Sequence, residues 1–198
     1  MESSTPQMVN IYTESNPNPN SLKFVANYML MPEGTSEDFR TKETTENAPL
    51  AAKLFEFPYV QGVFYMSNFI TVTKDEETDW YEVKGEIQSF IKSYLESGEP
   101  LLTKASEAKK EQPAMPPIGG EEDLETKIIN ILDEYIKPAV EMDGGAISFH
   151  SFNDGKVKVQ LQGSCSGCPS STVTLKAGIE NLLKRMVPEV QEVEAEGV

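Results

Sequence analysis

Thiols, imidazoles, positive charge and long apolar runs are all scarce in this 198-residue chain, and each shortage removes a class of function. Two cysteines in a chain of this length cannot make a structural disulfide framework; in a reducing compartment they serve as free thiols, metal ligands or a redox couple. The single histidine leaves the chain one ligand short of a four-coordinate Cys/His zinc site. Seventeen basic residues against thirty-two acidic ones give a formal charge of −15, which repels nucleic acid and anionic lipid, so neither is expected as a partner. No apolar run approaches the ~20 residues that span a bilayer, and no membrane association is expected. The first residues, "MESSTPQMVNIYTES", have neither the basic and apolar regions of a secretory signal nor the Arg-rich amphipathic pattern of a presequence, so the expected compartment is cytoplasmic. Phosphate-binding loops, dinucleotide-binding glycine turns and nucleophile elbows are absent, and no enzymatic activity is expected.

What is present is two patterned halves. The segment "TKASEAKKEQPAMPPIGGEED" is poor in large apolar residues, rich in proline and without sustained periodicity. It predicts a flexible linker at 103–122, with a reach of ~25 Å as a coil, between a domain at 1–102 and another at 123–198. In the first domain, "NSLKFVANYML" and "QGVFYMSNFITVTK" predict a strand or strand pair each. "PLAAKLFEF" fits a short helix, and "DWYEVKGEIQSFIKSYLESG" a longer one that places Trp80 in the core and stops at Gly98.

The second domain is patterned more sharply. Leu124, Ile128, Ile131, Leu132, Tyr135 and Ile136 predict a helix to about Lys137, where Pro138 kinks or ends it. After the Asp143-Gly144-Gly145 turn, "AISFHSF" and "KVKVQLQ" flank Asn153-Asp154-Gly155 and predict a hairpin. His150 is read as a strand residue, not a ligand. Leu175, Ile179, Leu182, Leu183 and Met186 mark a second helix, and "EVQEVEAE" a closing strand. The fold class is α+β: two small mixed domains, the second ordered α-β-β-α-β around a three-stranded sheet.

Cys165 and Cys168 fall where a strand hands over to a helix, with Pro169 suited to its first turn. A helix amino terminus favours thiolate, so both thiols are expected to be acidified. Their Cys-x-x-Cys spacing and the small Ser164, Ser166 and Gly167 suit an inorganic group. Common iron–sulfur clusters take four thiolates and this chain has two, so one chain cannot close the site and two can. Such a shared, surface-held cluster suits a carrier. A thioredoxin-like thiol–disulfide oxidoreductase remains the alternative, and a zinc-bridged dimer also satisfies the count.

From about Asp123 to the end, "DGGAISF" and "GKVKVQLQGSCSGCPSSTVTLKAGIENLLKRMVPEV" resemble the NifU-like carboxy-terminal domain of Nfu iron–sulfur scaffold proteins. "NPNPNSLKF", "PLAAKLFEFPYVQGVFYMSNFITVTK" and "DWYEVKGEIQSFI" are similar to the amino-terminal domain that accompanies it in one branch. The resemblance implies that Cys165 and Cys168 hold a [4Fe–4S] cluster across a homodimer, with [2Fe–2S] as the other nuclearity. It also implies receipt from upstream cluster-assembly factors and transfer to apo iron–sulfur proteins, with the first domain contacting partners.

Overall fold

The computed structural model describes residues 8–32, 34–103, 124–165 and 169–197, with backbone only at 169–171. Most of the predicted linker, 104–122, lies outside them. The chain divides into two compact units, one built on residues 8–15 and 19–103 and the other on 16–18 and 124–197.

The first unit is a five-stranded antiparallel sheet with helices on its core face. Its strands are β1 (Ile11–Ser15), β2 (Ser21–Ala26), β3 (Ser36–Phe39), β4 (Val60–Met66) and β5 (Phe69–Lys74), in the order β1-β2-β5-β4-β3. The aromatic and β-branched runs supply the three central strands. The edge strands β1 and β3 were not among the predicted elements, because "SEDF" is short and acidic and "IYTES" is half polar. Polar edges are how sheets avoid pairing with another chain. Helix α1 (Pro49–Leu54) ends before Phe57, and α2 (Trp80–Glu96) runs as its periodicity predicts. Asp79 caps α2 by accepting from the Tyr81 backbone N–H at 2.9 Å, and Gly98 ends the turn at φ +72°. Leu50, Leu54, Ile87 and Ile91 close over Phe24, Val63, Tyr65 and Ile70, all fully buried, with Trp80 packed at their margin.

In the second unit the predicted first helix does not stop at Pro138. Helix α3 (Leu124–Ile131) passes through a π turn (Leu132–Ile136) into α4 (Lys137–Met142), which carries Pro138 in its first turn. Proline cannot donate to the helical ladder and its ring crowds the carbonyl four residues back. The wider turn just before it, where the Lys137 N–H reaches the Leu132 carbonyl, lets the helix continue for another turn and a half. β6 (Gly145–Asn153) and β7 (Lys156–Gly163) then form the predicted hairpin, with Asp154 and Gly155 at φ +50° and +78° in its turn. β8 (Glu192–Gly197) pairs parallel to β7 after the crossover helix α5 (Pro169–Met186), giving the three-stranded sheet β6-β7-β8. The order α-β-β-α-β is as the sequence predicts, and the α+β class holds. Ile128, Val140, Val157, Val159, Leu161, Ile179 and Leu183 fill the core between sheet and helices.

Candidate functional site

The cysteine loop begins where β7 ends, at the only glycine of this sheet with positive φ on that strand, Gly163 at φ +65°. Opposite it in the ladder stands Gly145, the first residue of β6. Gly144, at φ +79°, ends α4 by turning the chain into that strand. These glycines let two loop segments approach: the Ser164 N–H donates to the Gly144 carbonyl at 3.3 Å, and the Ser164 hydroxyl donates to the Asp143 carbonyl.

Cys165 follows. It is 6% exposed and belongs to the core of its unit. Its sulfur lies 3.8 Å from the Ser164 hydroxyl, and its carbonyl accepts a 3.1 Å hydrogen bond from the Thr172 hydroxyl on α5. Burial pushes the Cys165 thiol up from its ordinary value; the charge of Asp143 adds to the rise and the Ser164 hydrogen bond opposes it. For Cys165 this reverses the expectation of an acidified thiol. Desolvation of the core sulfur is the largest of the three effects.

Cys168, with Ser166 and Gly167, lies outside the described residues, so the pairing of the two thiols rests on sequence spacing. Pro169 opens α5 as expected. His150 is exposed and sits where the β6–β7 register shifts, between Phe149 and Ser151. Among the described residues no three His, Cys, Asp or Glu side chains gather as a metal site. The donor chemistry therefore remains that of a thiol pair in small-residue surroundings, which fits an iron–sulfur group as half of its ligand set.

Sequence reasoning missed Gly145, Ser164 and Thr172 as supports of Cys165. The Gly-Gly doublet was legible as a turn, but its opposition to the cysteine loop depends on a hairpin register that a one-residue bulge displaces.

Comparison with known proteins gives a consistent result. The family pattern described as "Scaffold protein Nfu/NifU N terminal" matches residues 11–98, and "NifU-like domain" matches residues 128–194. A human protein named "NFU1 iron-sulfur cluster scaffold homolog, mitochondrial" is 43% identical over 187 residues, covering 93% of this chain and 70% of its own length. The Drosophila sechellia protein of the same name is 41% identical over 186 residues, covering 93% of this chain and 64% of its own. The solution structure of a NifU-like protein from Saccharomyces cerevisiae aligns with 52% of this chain and 92% of that one, at 24% identity and a TM-score of 0.45.

The cytoplasmic expectation is corrected by these matches, since the relatives are named as mitochondrial. That expectation rested on the character of the first fifteen residues. The chain spans 70% and 64% of the two relatives, so those residues carry no information about a longer precursor. Among the described residues no helix is long and apolar enough to cross a membrane.

Proposed function

This chain belongs to the Nfu family of iron–sulfur cluster scaffold proteins, and from that premise we propose that two copies share one [4Fe–4S] cluster through Cys165 and Cys168 and pass it to apo-proteins. The observation that carries the reading is the ligand shortfall. The two cysteines of these 198 residues supply half of the four thiolates such a cluster takes, and no other ligand cluster occurs among the described residues. A second copy meeting the first at this loop supplies the rest.

Two exposed apolar side chains support a contact there. Met142, 74% exposed, precedes the Asp143 carbonyl that holds Ser164, and Val173, 67% exposed, follows the Thr172 that holds Cys165. Large apolar groups left in water beside a site are what a partner surface would cover.

The chemistry asked of the chain is ligand exchange without a change of oxidation state. Cys165 and Cys168 give up their protons on loading. On delivery an acceptor thiolate replaces each in turn, so that one iron–sulfur bond forms as another breaks and the released thiolate takes a proton from water. In this reading the chain is a carrier and not an enzyme, its cargo comes from upstream assembly factors, and a mitochondrial site of work is the reading that the relatives' names support.

Anaerobic reconstitution with iron counting and mass measurement in solution tests the proposal. Loading should give four irons and visible absorbance per pair of chains, with the mass doubling. A colourless product whose two sulfurs cycle as a disulfide would instead favour the oxidoreductase reading, and a colourless dimer holding zinc would favour the zinc bridge.

A further inference from the structure

A sulfur that is to bind iron shared with a second chain has to face outward, yet Cys165 packs inward. It is held there from three directions. On the β6 side, Gly145 has no side chain, and a Cβ built on it would stand 3.0 Å from the Cys165 sulfur, 3.3 Å from its Cβ and 2.6 Å from the Gln162 carbonyl oxygen. The contact with the Gln162 carbonyl is not tolerated and the two with the thiol group are tighter than ordinary packing, so the missing side chain leaves room for both. On the chain's own side, Ser164, only 2% exposed, ties the loop to the Asp143 carbonyl while its hydroxyl stays 3.8 Å from the sulfur. On the α5 side, Thr172 holds the Cys165 carbonyl.

We propose that Gly145 and Ser164 are positioning residues that keep Cys165 withdrawn into the core of the empty chain, the glycine as the slot and the serine as the latch, and that loading turns the sulfur out of this slot. The second half rests on the cluster-carrying function proposed above; the first half concerns the empty protein alone. Neither residue ligates. Their effect is on where the sulfur is before any cargo arrives, and a carrier that shelters one of its two thiols between deliveries protects it from electrophiles and oxidants while empty. The arrangement also gives loading a conformational step that belongs to the protein: a buried hydrogen bond and core packing are surrendered on one side and metal–thiolate bonds are gained on the other.

The test uses the full-length, metal-free, reduced chain treated with iodoacetamide, whose carbon forms a thioether with the cysteine sulfur as iodide leaves and the thiol proton is released. Tandem mass spectrometry localises the adduct, so Cys165 is timed separately from Cys168, and amide exchange of β7 is followed in the same samples. Native Cys165 should react at least about tenfold more slowly than in urea-unfolded chain, and Ser164→Ala should recover about a tenfold gain in rate, the scale set by losing one buried hydrogen bond. Amide exchange in β7 should stay at the native rate, which a general loss of stability would not allow. Gly145→Ala should expose Cys165 likewise; if that variant does not fold by circular dichroism, the Ser164 result decides. A native Cys165 that reacts at the unfolded rate, or a Ser164→Ala chain that gains reactivity only in step with β7 exchange or not at all, overturns the proposal. Failure of the cluster reading looks different, because a chain that never binds iron and sulfide can still show a sheltered Cys165.

Discussion

A methyl group added at Gly155 has nowhere to go. The residue sits at φ +78° in the β6–β7 turn, and a Cβ there would lie 2.9 Å from the Gln191 Cγ and 3.0 Å from the Glu189 carbonyl oxygen. Its own carbonyl accepts from the Gln191 and Glu192 N–H groups at 2.6 and 3.2 Å, so the turn also anchors the approach to β8. Gly155→Ala is expected to destabilise the second unit by about 1–3 kcal/mol, read as a lower urea midpoint. At the thiols the expectation is the opposite in kind: Cys165→Ser and Cys168→Ser should each abolish stable cluster loading, by iron count after reconstitution, while circular dichroism stays native. The thiol pair is legible from sequence because its two members are local to one another. What supports Cys165 is not, since Gly145 and Ser164 are nineteen positions apart and meet only through strand pairing, and Thr172 reaches the loop only through the fold of α5.

Among the elements, those with a strong apolar period are readable and those without it are not. α2, β6, β7 and α5 announce themselves through repeating Val, Ile, Leu and Phe, whereas β3 is an acidic tetrapeptide paired to β4 on one side only. Of the two outcomes that Pro138 allows, a kink or an end, the chain takes an interruption of the regular α turn, because the π turn at Leu132–Ile136 absorbs the disruption and the helix resumes. The charged face of β7 and β8 allows a test at this scale. Lys156 reaches Glu194 at 2.8 Å and Glu192 at 3.5 Å, and Lys158 reaches Glu194 at 3.4 Å and Glu196 at 3.6 Å. The Lys156 hydrogen bond lowers the Glu194 carboxyl below its ordinary value, and Glu194 in turn raises the Lys156 ammonium. A depressed carboxyl stabilises the fold above its unfolded pKa and loses that contribution as pH falls through its folded value; a raised ammonium does so below its unfolded pKa and loses it as pH rises through its folded one. The Tm difference between native and Glu194→Gln protein should therefore be largest near neutrality and shrink as pH is lowered into the carboxylate range. Because these groups are exposed, high salt should shrink it too. A difference that grows on acidification would contradict the ladder.

For the whole molecule, two units with separate cores predict separable behaviour. Fragments 1–102 and 123–198 should each unfold cooperatively on their own, and the second should load iron and sulfide as fully as the intact chain, checked by calorimetry and reconstitution. Met142→Lys or Val173→Lys should leave the empty chain folded but shift the loaded form from dimer toward monomer with cluster loss, seen by light scattering under anaerobic conditions. Equal dimer yields for native and variant chains would remove those two residues from the shared surface.

The parallel pairing of β7 with β8 has a consequence for how the cysteine loop is held. The cysteine loop and α5 form a single strap whose two ends are stitched side by side into one sheet, through pairs from Lys156–Glu192 to Leu161–Gly197. Because those two ends are neighbouring strands of one sheet, parting them would break the backbone ladder that carries the approach to Cys165. Under the proposed carrier function, loading and delivery would leave this ladder paired.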